Sequence, residues 1–160
     1  MMRGMRRSRQ RIPYEEAREV LRNADYGILS TTCDDGLPYG VPMNHVLSGL
    51  SIYFHCATEG LKLDNILRDG RACFTVVLRE KNLGNRLSTA YESAMAFGVV
   101  RPVQDEDERQ AAFRLLVEKY APDMPAAALN DYLKQYGPHT LVLRMEVEYI
   151  TGKQGYPDEL

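Results

Sequence analysis

Cysteine is scarce: the 160-residue chain has three, Cys33, Cys56 and Cys73. The number is odd and no pair stands at CxxC spacing, which argues against both a disulfide framework and a zinc site. Reduced thiols in a cytoplasmic protein are the expectation. Long apolar runs are missing as well. No stretch approaches the ~18 apolar residues of a membrane-spanning helix. Neither a GxGxxG fingerprint nor a GxxxxGK phosphate loop occurs, so no dinucleotide fold and no P-loop is signalled. Excess charge of either sign is also lacking. The net charge is −2, which points to neither nucleic acid nor a membrane surface as partner.

That near-balance hides an asymmetry. Of the 20 lysines and arginines, five (Arg3, Arg6, Arg7, Arg9, Arg11) fall in the first eleven residues, which hold no acid; 15 basic side chains then face 22 acidic ones in the rest. A basic start suits a targeting peptide, a nucleic-acid arm or a solvated lead-in. No apolar segment follows the arginines, so a secretory signal is not expected. With 44% apolar and 26% charged residues, the chain has the composition of an ordinary globule of one domain. Residues 1–12 are read as a lead-in, 13–153 as the domain and 154–160 as a tail.

Periodicity divides the domain. Pro13 with Glu15 and Glu16 marks a helix start, and Ala17, Val20, Leu21 and Ala24 recur at helical spacing. The period then changes to two. Strands are predicted over 26–32, 37–47, 50–56, 72–78, 91–103 and 140–150, the first pair joined by a turn at Asp34, Asp35 and Gly36. Pro38 and Pro42 place the second strand at a sheet edge or beside a ligand. A short helix is predicted after Thr58, its N-cap, with Leu61, Ile66 and Leu67 buried and Gly70 at its end. Residues 79–90 read as a long polar loop. Asp105 caps a helix carrying Ala112, Phe113, Leu116, Val117 and Tyr120, and a second helix covers 126–136. In the last strand Leu141, Leu143, Met145, Val147 and Tyr149 share one face. The prediction is a mainly β fold: a six-stranded antiparallel barrel with a few short helices.

Polar residues concentrate in one stretch, Tyr53, Phe54, His55, Cys56, Ala57, Thr58, Glu59, Gly60, Leu61 and Lys62. A strand here runs into a helix start, so free backbone amides at 58–61, with Lys62 in reach, form a ready anion site. An ordinary helix start with a surface lysine is the plainer alternative. His45 and His55 sit on strands that the turn at Ser48 and Gly49 would pair. A third metal ligand of fitting spacing is missing, and hydrogen-bonded histidines are the plainer reading.

Four segments then match a known pattern in order. Asp35, Gly36, Pro38, Tyr39, Pro42, Asn44 and His45 form one; Tyr53, Phe54, His55, Ala57, Gly60 and Lys62 a second; Tyr91, Ser93 and Gly98 a third; Thr151, Gly152 and Lys153 the fourth. Together, with Met5, Arg6 and Arg7 at the start, they resemble the nitroimidazole-resistance branch of the pyridoxamine 5'-phosphate oxidase-like superfamily. Met1–Gly4 would then be an extension, and Ala94 departs mildly from the valine common there. The resemblance implies a split barrel of Greek-key type, a homodimer and FMN bound where the chains meet. It implies the phosphate against Lys62 and the helix amides, and the ring system along Val41, Pro42, Met43 and Asn44. His55, Cys56, Ala57 and Gly60 would line the site, and Tyr91 and Ser93 would approach from a further strand. His55 would stand near the flavin and is the candidate for a chemical role. The implied activity is reduction of small electron-poor molecules such as nitroimidazoles. The alternatives are a non-catalytic flavin or haem binder, with His45 or His55 as axial ligand, or a pyridoxamine 5'-phosphate oxidase proper. No partner beyond a second copy and a small-molecule substrate is expected: no nucleic acid and no membrane.

Overall fold

The computed structural model describes residues 4–160. Of the suggested extension Met1–Gly4 only Gly4 belongs to them, and Arg3 of the basic start also lies outside the described residues. Eight antiparallel strands form one sheet: β1 (Arg11–Ile12), β2 (Gly27–Thr32), β3 (Pro38–Met43), β4 (Val46–Ser48), β5 (Ser51–Ala57), β6 (Arg71–Leu83), β7 (Ser88–Pro102) and β8 (Thr140–Gly155). Four helices accompany them: α1 (Tyr14–Asn23), α2 (Leu61–Arg68), α3 (Glu106–Tyr120) and α4 (Ala126–Tyr136). The sheet runs β3-β2-β6-β7-β8-β5-β4, with β1 added to β8. Its two end strands are consecutive in sequence and joined only by Asn44 and His45. Two residues span at most roughly 11 Å between the strand ends, so the sheet curls until the end of β3 comes beside the start of β4, while β3 keeps an open edge.

Eight strands replace the six predicted, for two reasons. The stretch 37–47 breaks at Asn44 and His45 into β3 and β4, and the pair Arg11–Ile12 adds β1 beside Gly152 and Lys153. Pro38 and Pro42 do sit on an edge strand. The predicted polar loop 79–90 is instead the far end of a long hairpin. The β6–β7 ladder continues to Leu83 opposite Ser88. Its charges hid the strand because they pair across it: Arg79 binds Glu92 at 2.6 Å and Thr89 donates to Asn82.

The concave side holds Leu29, Ile52, Phe54, Phe74, Val100, Leu143 and Met145, all sealed from solvent. Helix α1 closes it with Ala17, Val20 and Leu21, and Ala24 follows at its C-cap. In β8 the expected alternation holds from Leu141 to Val147 and then fails: Tyr149 is 44% exposed and Ile150 is buried. A bulge is the cause. Phe97 pairs with Tyr149 and Gly98 with Val147, so Glu148 has no partner and the strand changes face. Gly98 is required there, because a Cβ would lie 1.9 Å from the Glu146 carbonyl oxygen.

The convex side of β5 and β8 is covered by α3. Asp105 caps this helix by accepting the Glu108 amide at 2.8 Å. Ala112 and Phe113 pack on Val142, with Tyr53 and Val103 at the border, as a second small core. Among the described residues no helix is long and apolar enough to cross a membrane.

Candidate functional site

Strand alternation sorts the β5 residues. Ile52, Phe54 and Cys56 point into the core, whereas Tyr53, His55 and Ala57 face outward. Cys56 is buried, and burial raises its thiol pKa, with nearby Lys62 opposing. His55 is exposed and lines a cavity of about 250 Å³ with Asn44, Phe113, Leu116, Val117, Tyr120, Ala121 and Met124. Its imidazole pKa is lowered, first by partial burial and then by the Lys62 charge. Near pH 7 the ring is neutral and can donate or accept one proton.

The turn after β5 differs from the sequence expectation. Gly60, not Thr58, is the N-cap of α2, and no side chain caps the helix. Gly60 has φ +122°, a conformation open to glycine and costly for other residues. Its carbonyl oxygen accepts the amides of Leu63 and Asp64 at 2.8 and 3.1 Å. The amides of Leu61 and Lys62 precede that ladder and have no intrahelical acceptor. Leu61 and Leu67 are exposed. Ile66 is buried as expected, but its companions are Leu63 and Asn65, so the buried face is rotated about the helix axis from the one predicted. Asn65 fixes that stance by donating to Thr31 Oγ1 at 3.1 Å, and Arg68 donates to the Thr32 carbonyl. Lys62 makes no ion pair among the described residues, and its charge bears on both His55 and Cys56. An anion-sized group fits this corner: two free amides, an unpaired ammonium and a glycine whose missing Cβ leaves open space.

On β3, Val41 and Met43 turn toward the core, while Pro42 and Asn44 are exposed. Proline has no amide hydrogen. Pro38 and Pro42 therefore occupy the sites of the β2–β3 ladder whose backbone groups point away from β2, to the open edge. Val41 and Met43 alternate with them: their side chains face the core and their backbone groups face β2, so the open edge shows a ligand the backbone of Gly40 and Pro42 instead.

Tyr91 and Ser93 lie elsewhere. Ser93 pairs with Lys153 on β8 and donates to its carbonyl at 3.4 Å. The Tyr91 hydroxyl donates to Gln10 at 3.2 Å, and the Lys153 ammonium sits 5.3 Å from the Tyr91 ring centroid. His55 pairs with Val142 on the same strand. Val142 and Lys153 are separated by roughly 36 Å along an extended strand. One chain brings Asn44, His55, Ala57, Gly60 and Lys62 to one region and holds Tyr91 and Ser93 in another.

His45 is a structural residue. It is completely buried, stands edge-on to Phe74 at 4.7 Å, and its Nε2 donates to the Leu21 carbonyl at 2.6 Å. That carbonyl belongs to the last turn of α1, which has no intrahelical donor left for it. Burial pushes the His45 pKa down to about 4. With one nitrogen engaged and Nδ1 sealed in the core, His45 cannot reach a metal or haem iron. Tyr120, expected only as part of the apolar stripe of α3, and Lys119, which no sequence pattern singled out, complete the same junction. The Tyr120 hydroxyl accepts the His45 amide at 2.9 Å and faces the Asp25 and His45 carbonyls at 2.6 and 2.8 Å. Lys119 donates to the Ala24 carbonyl at 2.7 Å. No local signal marks their hydrogen-bonding role; only the docking of α3 brings them there. Among the described residues no cluster of three or more candidate metal ligands forms.

No curated protein matches the sequence. Among solved structures, a candidate 5-nitroimidazole antibiotic resistance protein from Bacteroides thetaiotaomicron is 27% identical, with TM-score 0.76 over 89% of this chain and 85% of that one. A conserved hypothetical protein from Mycobacterium tuberculosis has TM-score 0.79 at 15% identity, covering 98% and 94%. The flavocytochrome Anf3 from Azotobacter vinelandii has TM-score 0.75 at 17% identity, covering 95% and 72%. The latter two share the fold. The model of the pyridoxamine 5'-phosphate oxidase family matches residues 13–154, nearly the whole curled sheet and its helices, and the chain belongs to that family.

Proposed function

We propose that the protein is an FMN-dependent reductase of small electron-poor molecules, of which nitroimidazoles are the model, and that it works as a symmetric dimer of split barrels. The observation that carries this reading is the corner at Gly60, Leu61 and Lys62, an anion site opening beside His55. Lys62 and the two free amides would hold the phosphate. Pro42, Asn44, His55 and Ala57 would flank the ring system, with the Pro42 carbonyl facing it from the open edge and Val41 and Met43 backing the strand from the core side. Bound FMN supplies the electron transfer, while the protein binds, orients and tunes. His55, neutral near pH 7, would hold a hydrogen bond to cofactor or substrate. The likeness to the Bacteroides nitroimidazole-resistance protein supports the substrate class.

The separation of Ser93 from His55 supports the dimer. If both approach one cofactor, they come from two chains. Ser93 lies on the convex face among Ile28, Val77, Met95 and Tyr149, which are 37, 54, 36 and 44% exposed. An apolar face of this kind suits an isologous contact with a second copy.

The phosphate assignment is tested by Lys62→Ala. A charge-assisted hydrogen bond is worth roughly 1.5–3 kcal/mol. FMN should bind roughly 10- to 150-fold more weakly, and riboflavin about as before, as read by quenching of flavin fluorescence. Equal losses for both would move the phosphate elsewhere. A second reading, a flavin or haem carrier without turnover, is favoured by the flavocytochrome among the structural neighbours. The absorption spectrum of the purified protein and a nitroreduction assay with NADH or NADPH separate the two.

A further inference from the structure

We propose that the cavity between His55 and the C-terminal half of α3 is the substrate pocket, and that it takes a small, flat, uncharged ring bearing one polar group. The inference rests on the reading of Lys62 and His55 as the cofactor side of the site. The cavity measures about 250 Å³, below the roughly 300–1,000 Å³ that drug-sized ligands occupy. It is too small for the whole of FMN and fits a one- or two-ring heterocycle. Its walls are Phe113, Leu116, Val117, Ala121 and Met124, and no charged side chain other than the titratable His55 lines it. Lys119, the cation nearest along α3, is turned away to the Ala24 carbonyl. Tyr120 contributes its ring, because its hydroxyl is already engaged with the backbone of His45 and Asp25. Hydrogen-bonding capacity therefore collects at one end, on Asn44 and His55. A charged ligand would lose its hydration in such walls without a partner to replace it. A neutral ring that sends one acceptor or donor toward Asn44 and His55 keeps a hydrogen bond there and buries the rest of its surface against apolar walls.

The test uses the full-length protein and two probes that differ by one carboxylate, neutral nitrobenzene and anionic 4-nitrobenzoate, with binding read by calorimetry both with and without FMN. With FMN filling the Lys62 corner, the neutral compound should bind at least about tenfold more tightly than the anion. Val117→Trp, which fills the cavity, should weaken the neutral compound at least about tenfold and leave FMN affinity unchanged. Should that variant lose its native melt, Met124→Trp, at a position 38% exposed, answers the same question. Equal binding of both probes to the FMN-loaded protein, or a neutral probe indifferent to the tryptophan, overturns the pocket. A tryptophan that weakens FMN as well shows that the flavin itself enters the cavity, and also overturns it. Failure of FMN to bind the unmodified protein instead defeats the cofactor reading, which the probe titrations without FMN keep separate.

Discussion

His45 and His55 flank the same short hairpin and have opposite fates. His45 faces inward, where Leu21, Phe74 and the α1 terminus enclose it. His55 faces outward, toward a cavity and a free ammonium. Both have lowered pKa values, and burial is the first cause in each. The resemblance ends there. In His45 a satisfied Nε2 and a sealed Nδ1 fix one tautomer and leave no chemistry. In His55 neither ring nitrogen is committed to the protein among the described residues, so the ring is available to a ligand. A perturbed titration identifies burial; the free nitrogen identifies a candidate for function.

The largest loss of stability is expected at His45. His45→Ala would leave a void beside Phe74 and remove the only donor to the Leu21 carbonyl shown by the structure. Large-to-small changes in a core cost about 2–5 kcal/mol, part of it here from the orphaned carbonyl. Unfolding in urea should show a midpoint shift corresponding to about 4 kcal/mol. A loss under about 1 kcal/mol would mean that the ring does not hold the α1 terminus.

A smaller effect appears in acid. His45 titrates near pH 6.5 when unfolded and at about 4 when folded. Between these values the unfolded chain binds the extra proton, so stability falls as pH falls. The contribution is complete above about pH 6.5 and is lost as pH drops through about 4. The full shift corresponds to roughly 3 kcal/mol. Other groups titrate in the same window, so the quantity to measure is the excess loss of the unmodified protein over His45→Ala. Parallel pH profiles for the two would show that His45 carries no such linkage.

Much of this architecture was legible from residues alone. The apolar spacing of Ala17, Val20 and Leu21 located α1, Asp105 located the start of α3, and Pro38 with Pro42 located a sheet edge. Illegible features share a physical cause, namely dependence on a partner distant in sequence. Residues 79–90 read as loop because the cross-strand pairing of Arg79 with Glu92 cannot be seen along the chain. Tyr149 changes face because β7 imposes a bulge at Glu148. Thr58 has the chemistry of an N-cap, but Gly60 takes the position because Asn65 docks α2 against Thr31. In the candidate site, the motif residues were visible as a string. Their separation into a His55–Lys62 side and a Ser93 side was not, since it follows from the register of β8. The cavity wall escaped for the same reason: Val117 on α3 and Met124 just beyond it belong to no motif and come together only where they line the cavity with His55.

The smallest change in stability is expected at His55. Its side chain is exposed and makes no hydrogen bond within the protein among the described residues, so His55→Ala should leave the apo-protein melt within about 0.5 kcal/mol of the original. Function should respond far more. A neutral imidazole beside the Lys62 corner can hold one hydrogen bond to cofactor or substrate, and removing it should lower turnover of a nitro compound or shift the flavin potential while FMN affinity changes little. The lowered pKa predicts a pH dependence too. Turnover should hold through neutral pH and fall in mild acid as the ring takes up a second proton, and that limb should vanish in His55→Ala. The measurements are melts of apo and FMN-loaded protein, a flavin redox titration and a pH–rate profile for both. A variant that melts early yet turns over normally once loaded would make His55 a second His45, a residue that serves the fold, and the contrast between the two histidines would collapse.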